Sequence, residues 1–167
     1  METRMNSPDD SYCFATQLKK GEDAERCLDR HFGKFYFIEN VGEQAQRWGI
    51  DRIWWTRAMT DRRSVQYKAD WTAARTGNVF IESVSVDSQN VAGWAYTSVA
   101  QLLVYYLPNS AVAYVAPMLA IRDAVKEWAQ SRQEKTIPNG SYNTRGLPIP
   151  LEEFAERCLA QRFRIDS

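Results

Sequence analysis

The chain has 167 residues, 44% hydrophobic and 13% aromatic with six Trp, which excludes a disordered or low-complexity protein and gives one domain enough apolar surface for a core of its own. Lys plus Arg and Asp plus Glu number 21 each, so the formal charge is zero; neutrality weighs against nucleic-acid binding, which draws on basic side chains, although a two-sided charge distribution also sums to zero. Cys13, Cys27 and Cys158 form no CxxC or Cys/His cluster and the one histidine is His31, which argues against a disulfide framework or a zinc site and for reduced thiols.

Residues 1–20 carry Pro8, Asp9, Asp10, Lys19 and Lys20 among scattered apolar residues, and are expected to form a loosely ordered N-terminal arm ahead of a single domain over residues 21–167. From Glu22 the pattern turns helical: Ala24, Cys27, Leu28 and Phe32 share one face, and Gly33 suits the end of that helix. Residues 35–38 read as a short strand and residues 42–48 as a loop. Residues 49–55 and 64–70 read as two short strands joined by an exposed polar turn that holds Thr60, Asp61, Arg62 and Arg63. In the second of these, Val65 and Tyr67 face one way and Gln66 and Lys68 the other, because strand side chains repeat every two residues.

Gly77 and Asn78 turn the chain into a β-branched run over residues 79–86, expected as a third central strand. A short helix within residues 93–101 feeds a strand over residues 102–107, which Pro108 and Asn109 stop, and residues 111–116 pair back on it. Pro117 suits the first turn of a helix running to about Arg132, with Leu119, Ile121, Val125 and Trp128 as its apolar positions. Residues 133–148, with Pro138, Gly140 and Gly146, read as a polar loop, and Pro150 opens a last helix carrying Leu151, Phe154, Cys158 and Leu159. These elements sum to an α/β fold with a central mixed sheet of about five or six strands flanked by helices. No signal peptide opens the chain, and the longest apolar run, near Leu102, is too short to span a bilayer, so a cytoplasmic protein with no membrane contact is expected.

Asp51, at the mouth of one strand, can face Gln66 and Lys68 on its neighbour. A carboxylate, a second oxygen and an ammonium then converge: hard oxygens suit Mg²⁺, and an ammonium suits an attacking water or charge growing on a phosphate. Each residue also has an ordinary reading. Asp51 after a glycine marks a turn, Lys68 is a solvent-facing strand residue, and Gln66 is an unremarkable polar one. No P-loop, dinucleotide fingerprint or nucleophile elbow competes with this site.

Asp51, the hairpin, then Gln66-Tyr67-Lys68 resembles the PD-(D/E)xK nuclease superfamily, which includes restriction endonucleases and Holliday-junction resolvases. Ile50 stands where that pattern has Pro, and Gln66 where it has Glu or Asp. The similarity extends over residues 22–130, including the run from Thr76 to Glu82, and takes in small phage and bacterial proteins of this type. The resemblance implies a restriction endonuclease-like fold and a Mg²⁺- or Mn²⁺-dependent hydrolysis of phosphodiester bonds in nucleic acid, DNA first. It implies Asp51 and Gln66 as metal ligands and Lys68 as the group that positions water. It also implies a helix-borne acid, for which Glu25 is the candidate and Glu22 or Asp29 would serve as well. A homodimer would bring two such sites to two strands. The neutral Gln66 and the zero net charge favour an alternative, a catalytically inactive nuclease-fold module that binds nucleic acid or a protein.

Several residues near this set stay open between roles. Asp70 shares the strand face of Gln66 and Lys68, and Glu82 alternates with Phe80 and Val84, apolar company that is unusual for an acid. Arg57, Arg62 and Arg63 at the hairpin tip suit phosphate contact or a solvated turn. Trp54, Trp55, Trp71, Trp94, Tyr96, Tyr105 and Tyr106 read as packing residues before they read as base-stacking ones.

Overall fold

Ala24, Leu28 and Phe32 recur at helical spacing and all three are buried, so the first helix is held on the sheet by one apolar stripe. The computed structural model describes the backbone of residues 8–166 and the side chains of residues 16–166. Its elements begin with α1 (Pro8–Phe32), β1 (Phe37–Asn40), α2 (Glu43–Arg47), β2 (Arg52–Trp55) and β3 (Arg62–Ala69). There follow α3 (Ala73–Thr76), β4 (Asn78–Val86), β5 (Val91–Ala92), α4 (Trp94–Thr97), β6 (Leu102–Leu107) and β7 (Val112–Pro117). The chain closes with α5 (Met118–Ser131), β8 (Lys135–Asn139), β9 (Tyr142–Pro150), α6 (Leu151–Arg157) and β10 (Gln161–Arg164).

A six-stranded sheet runs in the order β1-β2-β3-β6-β7-β10, and its one parallel pair is β3 with β6. A separate four-stranded antiparallel sheet has the order β5-β4-β9-β8. The central strand β6 reads Leu-Leu-Val-Tyr-Tyr-Leu without alternation because both of its faces are covered. Val104 and Tyr106 pack toward α1 with Val65 and Tyr67. Leu103, Tyr105 and Leu107 pack into the larger core with Ile121 and Trp128 of α5, Phe154 of α6, and Val79, Ile81, Leu147 and Ile149 of the second sheet.

The mixed six-stranded sheet flanked by helices agrees with the expected α/β class. Four local expectations are corrected. The stretch from Pro8 to Lys20, expected in a loosely ordered arm, forms the opening turns of α1, while residues 1–7 lie outside the described residues. The run over residues 79–86 is a strand, but it belongs to the second sheet, where Val79 faces Ile149 and Ile81 faces Leu147. The expected polar loop over residues 133–148 is largely the β8–β9 hairpin. Residues 42–48 contain the short helix α2, and β10 was not anticipated. Among the described residues no helix is long and apolar enough to cross a membrane.

Candidate active site

The site begins where a strand ladder stops. β2 and β3 pair from Trp55 with Arg62 to Arg52 with Val65, and the Asp51 N–H adds one more bond to the Val65 carbonyl at 2.8 Å. Gly49, at φ 75°, then turns the chain away from β3; a Cβ there would lie 2.9 Å from the Ser98 Cα, so the position needs glycine twice over. With β2 gone, the next inward N–H of β3, that of Tyr67, has no strand partner, and it donates to Asp51 Oδ2 at 2.7 Å. The main chain and the carboxylate of Asp51 thus grip β3 on either side of Gln66. Burial is the main influence on Asp51 and raises its pKa above the usual carboxylate value, against the Tyr67 N–H and the charges of Lys68 and Arg52.

Gln66 is 7% exposed, and its Oε1 is buried with no hydrogen-bond partner among the described residues. A buried acceptor left without a donor costs about 1–3 kcal/mol, so this oxygen is in a position that a cation or donor would relieve. Lys68, two residues along the same strand, is half-buried and makes no hydrogen bond or ion pair among the described residues; its charge acts on Asp51. It lines two hollows. The smaller, of about 140 Å³, is shared with Glu25 and Tyr67, and the larger, of about 510 Å³, with Asp70, Glu82 and Tyr105.

On the α1 side, Arg52 is 8% exposed and organises a polar network. Its Nε and Nη2 donate to the Asp29 carboxylate at 2.9–3.1 Å, Nη2 also donates to Glu25 Oε2 at 2.9 Å, and Nη1 donates to the Asp51 carbonyl at 2.7 Å. The Tyr67 hydroxyl donates to Asp29 at 3.0 Å and accepts from Trp54 Nε1 at 3.1 Å. Glu25 therefore stands within electrostatic reach of Asp51, but its carboxylate is engaged by Arg52. Burial raises the Glu25 pKa, Arg52 opposes that rise, and the charges of Asp51 and Asp29 add to it.

Of the expected set, Asp51 feels the charge of Lys68, Gln66 stands between the two β3 residues that Asp51 bonds, and Glu25 is linked to Asp51 through Arg52. Glu22 is exposed. Asp70 has its oxygens committed: Oδ1 accepts from Thr72 N, Thr72 Oγ1 and Ala73 N, and Oδ2 from the Tyr105 hydroxyl at 2.5 Å. The basic tip is also tied locally, with Arg57 over Phe37, Arg62 over Trp55, and Arg63 on Asp61. Arg52 was missed. The signal was there, since Glu25 and Asp29 lie four residues apart on one helix face and an arginine on the strand beneath can bridge them.

Among the described residues no group of three or more His, Cys, Asp or Glu side chains gathers as a metal cage. Asp51, just before β2, and Gln66, on β3, instead stand on adjoining segments, one with a carboxylate and one with an amide oxygen that has no partner among the described residues. Mg²⁺ keeps several waters and takes one or two protein carboxylates together with substrate phosphate, so the Asp51 and Gln66 oxygens fit such an ion. No protein family, curated protein or solved structure matches the chain.

Proposed function

We propose that the protein is a metal-dependent nuclease that hydrolyses phosphodiester bonds of nucleic acid, DNA first, on a restriction endonuclease-like fold. The reading rests on one observation above the others: Gln66, whose buried Oε1 has no partner among the described residues, stands between the two β3 residues that Asp51 bonds, and Lys68, with no hydrogen bond or ion pair among the described residues, follows two residues along the same strand. Asp51 and Gln66 would hold Mg²⁺ or Mn²⁺, which when bound supplies Lewis-acid charge at the phosphoryl oxygen and acidifies a coordinated water. Asp51 is oriented by the Tyr67 N–H, and burial makes its bare negative charge costly, so it gains by meeting a cation. Lys68 positions the attacking water and offsets charge growing on the phosphate. Arg52 engages Oε2 of Glu25, so Glu25 would join the ligand set through its other oxygen or by releasing Arg52. Cutting both strands of a duplex needs two sites, which a homodimer would supply.

A second reading has a specific observation in its favour. With Gln66 neutral and Glu25 engaged by Arg52, Asp51, its carboxylate bonded only to the Tyr67 N–H, is the one acid of the set without an ion pair among the described residues, which suits a nuclease-fold module that binds nucleic acid or a protein without cutting. A cleavage assay on plasmid, linear, branched and single-stranded DNA, with Mg²⁺, Mn²⁺ or EDTA, separates the two. Metal-dependent cutting that is lost in Asp51→Ala and in Lys68→Ala supports the nuclease. Folded protein that cuts nothing under any condition, but shifts DNA without metal, supports the binding module.

A further inference from the structure

The 510 Å³ cleft beside Lys68 has a chemistry of its own. Tyr105 and Trp94 are almost fully buried and form its floor, and Trp71 and Phe80 are half-buried and stand as its walls. Lys20 lines it from α1 and Lys68 from β3. Glu82 lines it from β4, half-buried, with no hydrogen bond or ion pair among the described residues, whereas the neighbouring Asp70 is already bonded to Tyr105, Thr72 and Ala73. The position of Glu82 is enforced: a Cβ on Gly93 would lie 2.0 Å from the Glu82 carbonyl oxygen, so α4 begins in contact with the Glu82 main chain. An acid held among aromatic rings and left without a donor is an acceptor in search of N–H groups.

The volume lies within the roughly 300–1,000 Å³ range of pockets that enclose a small ligand. Aromatic walls match the π-face of a nucleobase, two lysines at the edge match a phosphate, and a free carboxylate matches an exocyclic amino group, as cytosine N4 and adenine N6 present. A base in a duplex has that edge occupied, so only an unpaired one can enter.

We propose that this cleft receives one unpaired nucleotide carrying an amino-bearing base, with Glu82 accepting from the base N–H groups, the aromatic walls stacking on its face, and Lys20 and Lys68 facing its phosphate. The proposal rests on the nuclease reading only for what happens next to Lys68, and it makes a single-stranded or locally opened nucleic acid the substrate class. Binding can be read without cleavage. In EDTA, fluorescence anisotropy is measured with labelled oligo-dC, oligo-dA and oligo-dT of about 12 nucleotides, with an abasic strand and with a duplex; this length lies within the roughly 4–16-nucleotide footprints of single-strand binders. Free dCMP and dAMP are titrated against the tryptophan emission.

The expected result is oligo-dC and oligo-dA binding about tenfold more tightly than oligo-dT, the abasic strand or the duplex, as one stacked and hydrogen-bonded base would give. Glu82→Gln, close to isosteric, should bring oligo-dT within about threefold of oligo-dC, because an amide also donates to the thymine carbonyl. Lys20→Ala should weaken all single strands alike and flatten the salt dependence. Saturable quenching by dCMP alone would identify a free nucleotide as the ligand; binding confined to oligonucleotides would identify the polymer. Equal affinity for all strands, or no binding of strand and mononucleotide by folded protein, overturns the proposal. Metal-dependent cutting with no base preference leaves the nuclease standing and removes the pocket; base-selective binding without cutting in any metal does the reverse.

Discussion

Arg52→Met tests the idea that a single guanidinium joins the helix to the hairpin that carries the site. The substitution keeps much of the side-chain volume but withdraws every donor that Asp29, Glu25 and the Asp51 carbonyl receive from Arg52. Removing one partner of a buried ion pair costs about 3–5 kcal/mol, because the charge left behind is stranded. The Asp29 and Glu25 side chains keep 28% and 38% exposure, so water recovers part of the loss and the lower end, about 3 kcal/mol, is the expected figure. For a chain of this size that is a fall of about 6–12 °C in Tm, or of about 1.5 M in the urea midpoint at an unchanged slope. Arg52→Lys should recover less than half, since one ammonium cannot span two carboxylates and a carbonyl. Arg52→Met combined with Glu25→Gln and Asp29→Asn should recover most of it by removing the stranded charge. Urea unfolding followed by tryptophan fluorescence reads all three variants. An Arg52→Met protein within about 1 kcal/mol of the wild type would show that packing of α1 holds this junction without the network.

Burial raises the Asp51 pKa above that of an unfolded aspartate, so its contribution to stability is complete below the ordinary carboxylate range and is lost as pH rises through the native value. Asp51→Asn should therefore melt above the wild type near neutral pH and level with it below about pH 3.5, while Mg²⁺ should raise the wild-type Tm alone; an equal gap at both pH values would contradict this. Tyr105→Phe strands the Phe80 N–H, which the hydroxyl accepts from at 3.1 Å, and removes the donor to Asp70, for an expected loss of about 2 kcal/mol in urea unfolding. Gly93→Ala forces a methyl against the Glu82 main chain and should cost about 3 kcal/mol, with tryptophan emission of the folded state shifting as Trp94 moves.

How much of this was legible in the sequence depended on whether a signal was local. The apolar stripe of α1 and the alternation of Val65 and Tyr67 against Gln66 and Lys68 are near-neighbour patterns, and the structure follows both. So is the stop at Pro108 between β6 and β7. The β8–β9 hairpin was hidden by its prolines, which read as loop. Pro138 lies on the edge strand β8, and β8 accompanies β9 only as far as Gly146, so Pro148 and Pro150 fall where that side of β9 is open. Strand propensity also identified residues 79–86 but could not say which sheet they join, because the partner, β9, is distant in sequence. At the site, residue types and spacing pointed to Asp51, Gln66 and Lys68. The diversion of Glu25 to Arg52 depends on where a helix and a strand meet, which no spacing reports.

The cleft wall is assembled in an order set by synthesis. β4 carries Phe80 and Glu82, yet its long partner β9 is made only after β6, β7, α5 and β8, and β5 offers it only two residues in the interval. A growing chain that has already paired β1, β2, β3, β6 and β7 still holds β4 with an open edge, and a nascent or truncated product ending before Tyr142 would present that edge to other chains. The hairpin bearing Asp51 and Lys68 is complete early, while the β4 wall of the cleft waits for β9. Ribosome-bound or prematurely terminated chains should therefore aggregate through β4 and lack the cleft, even with Asp51, Gln66 and Lys68 already in register.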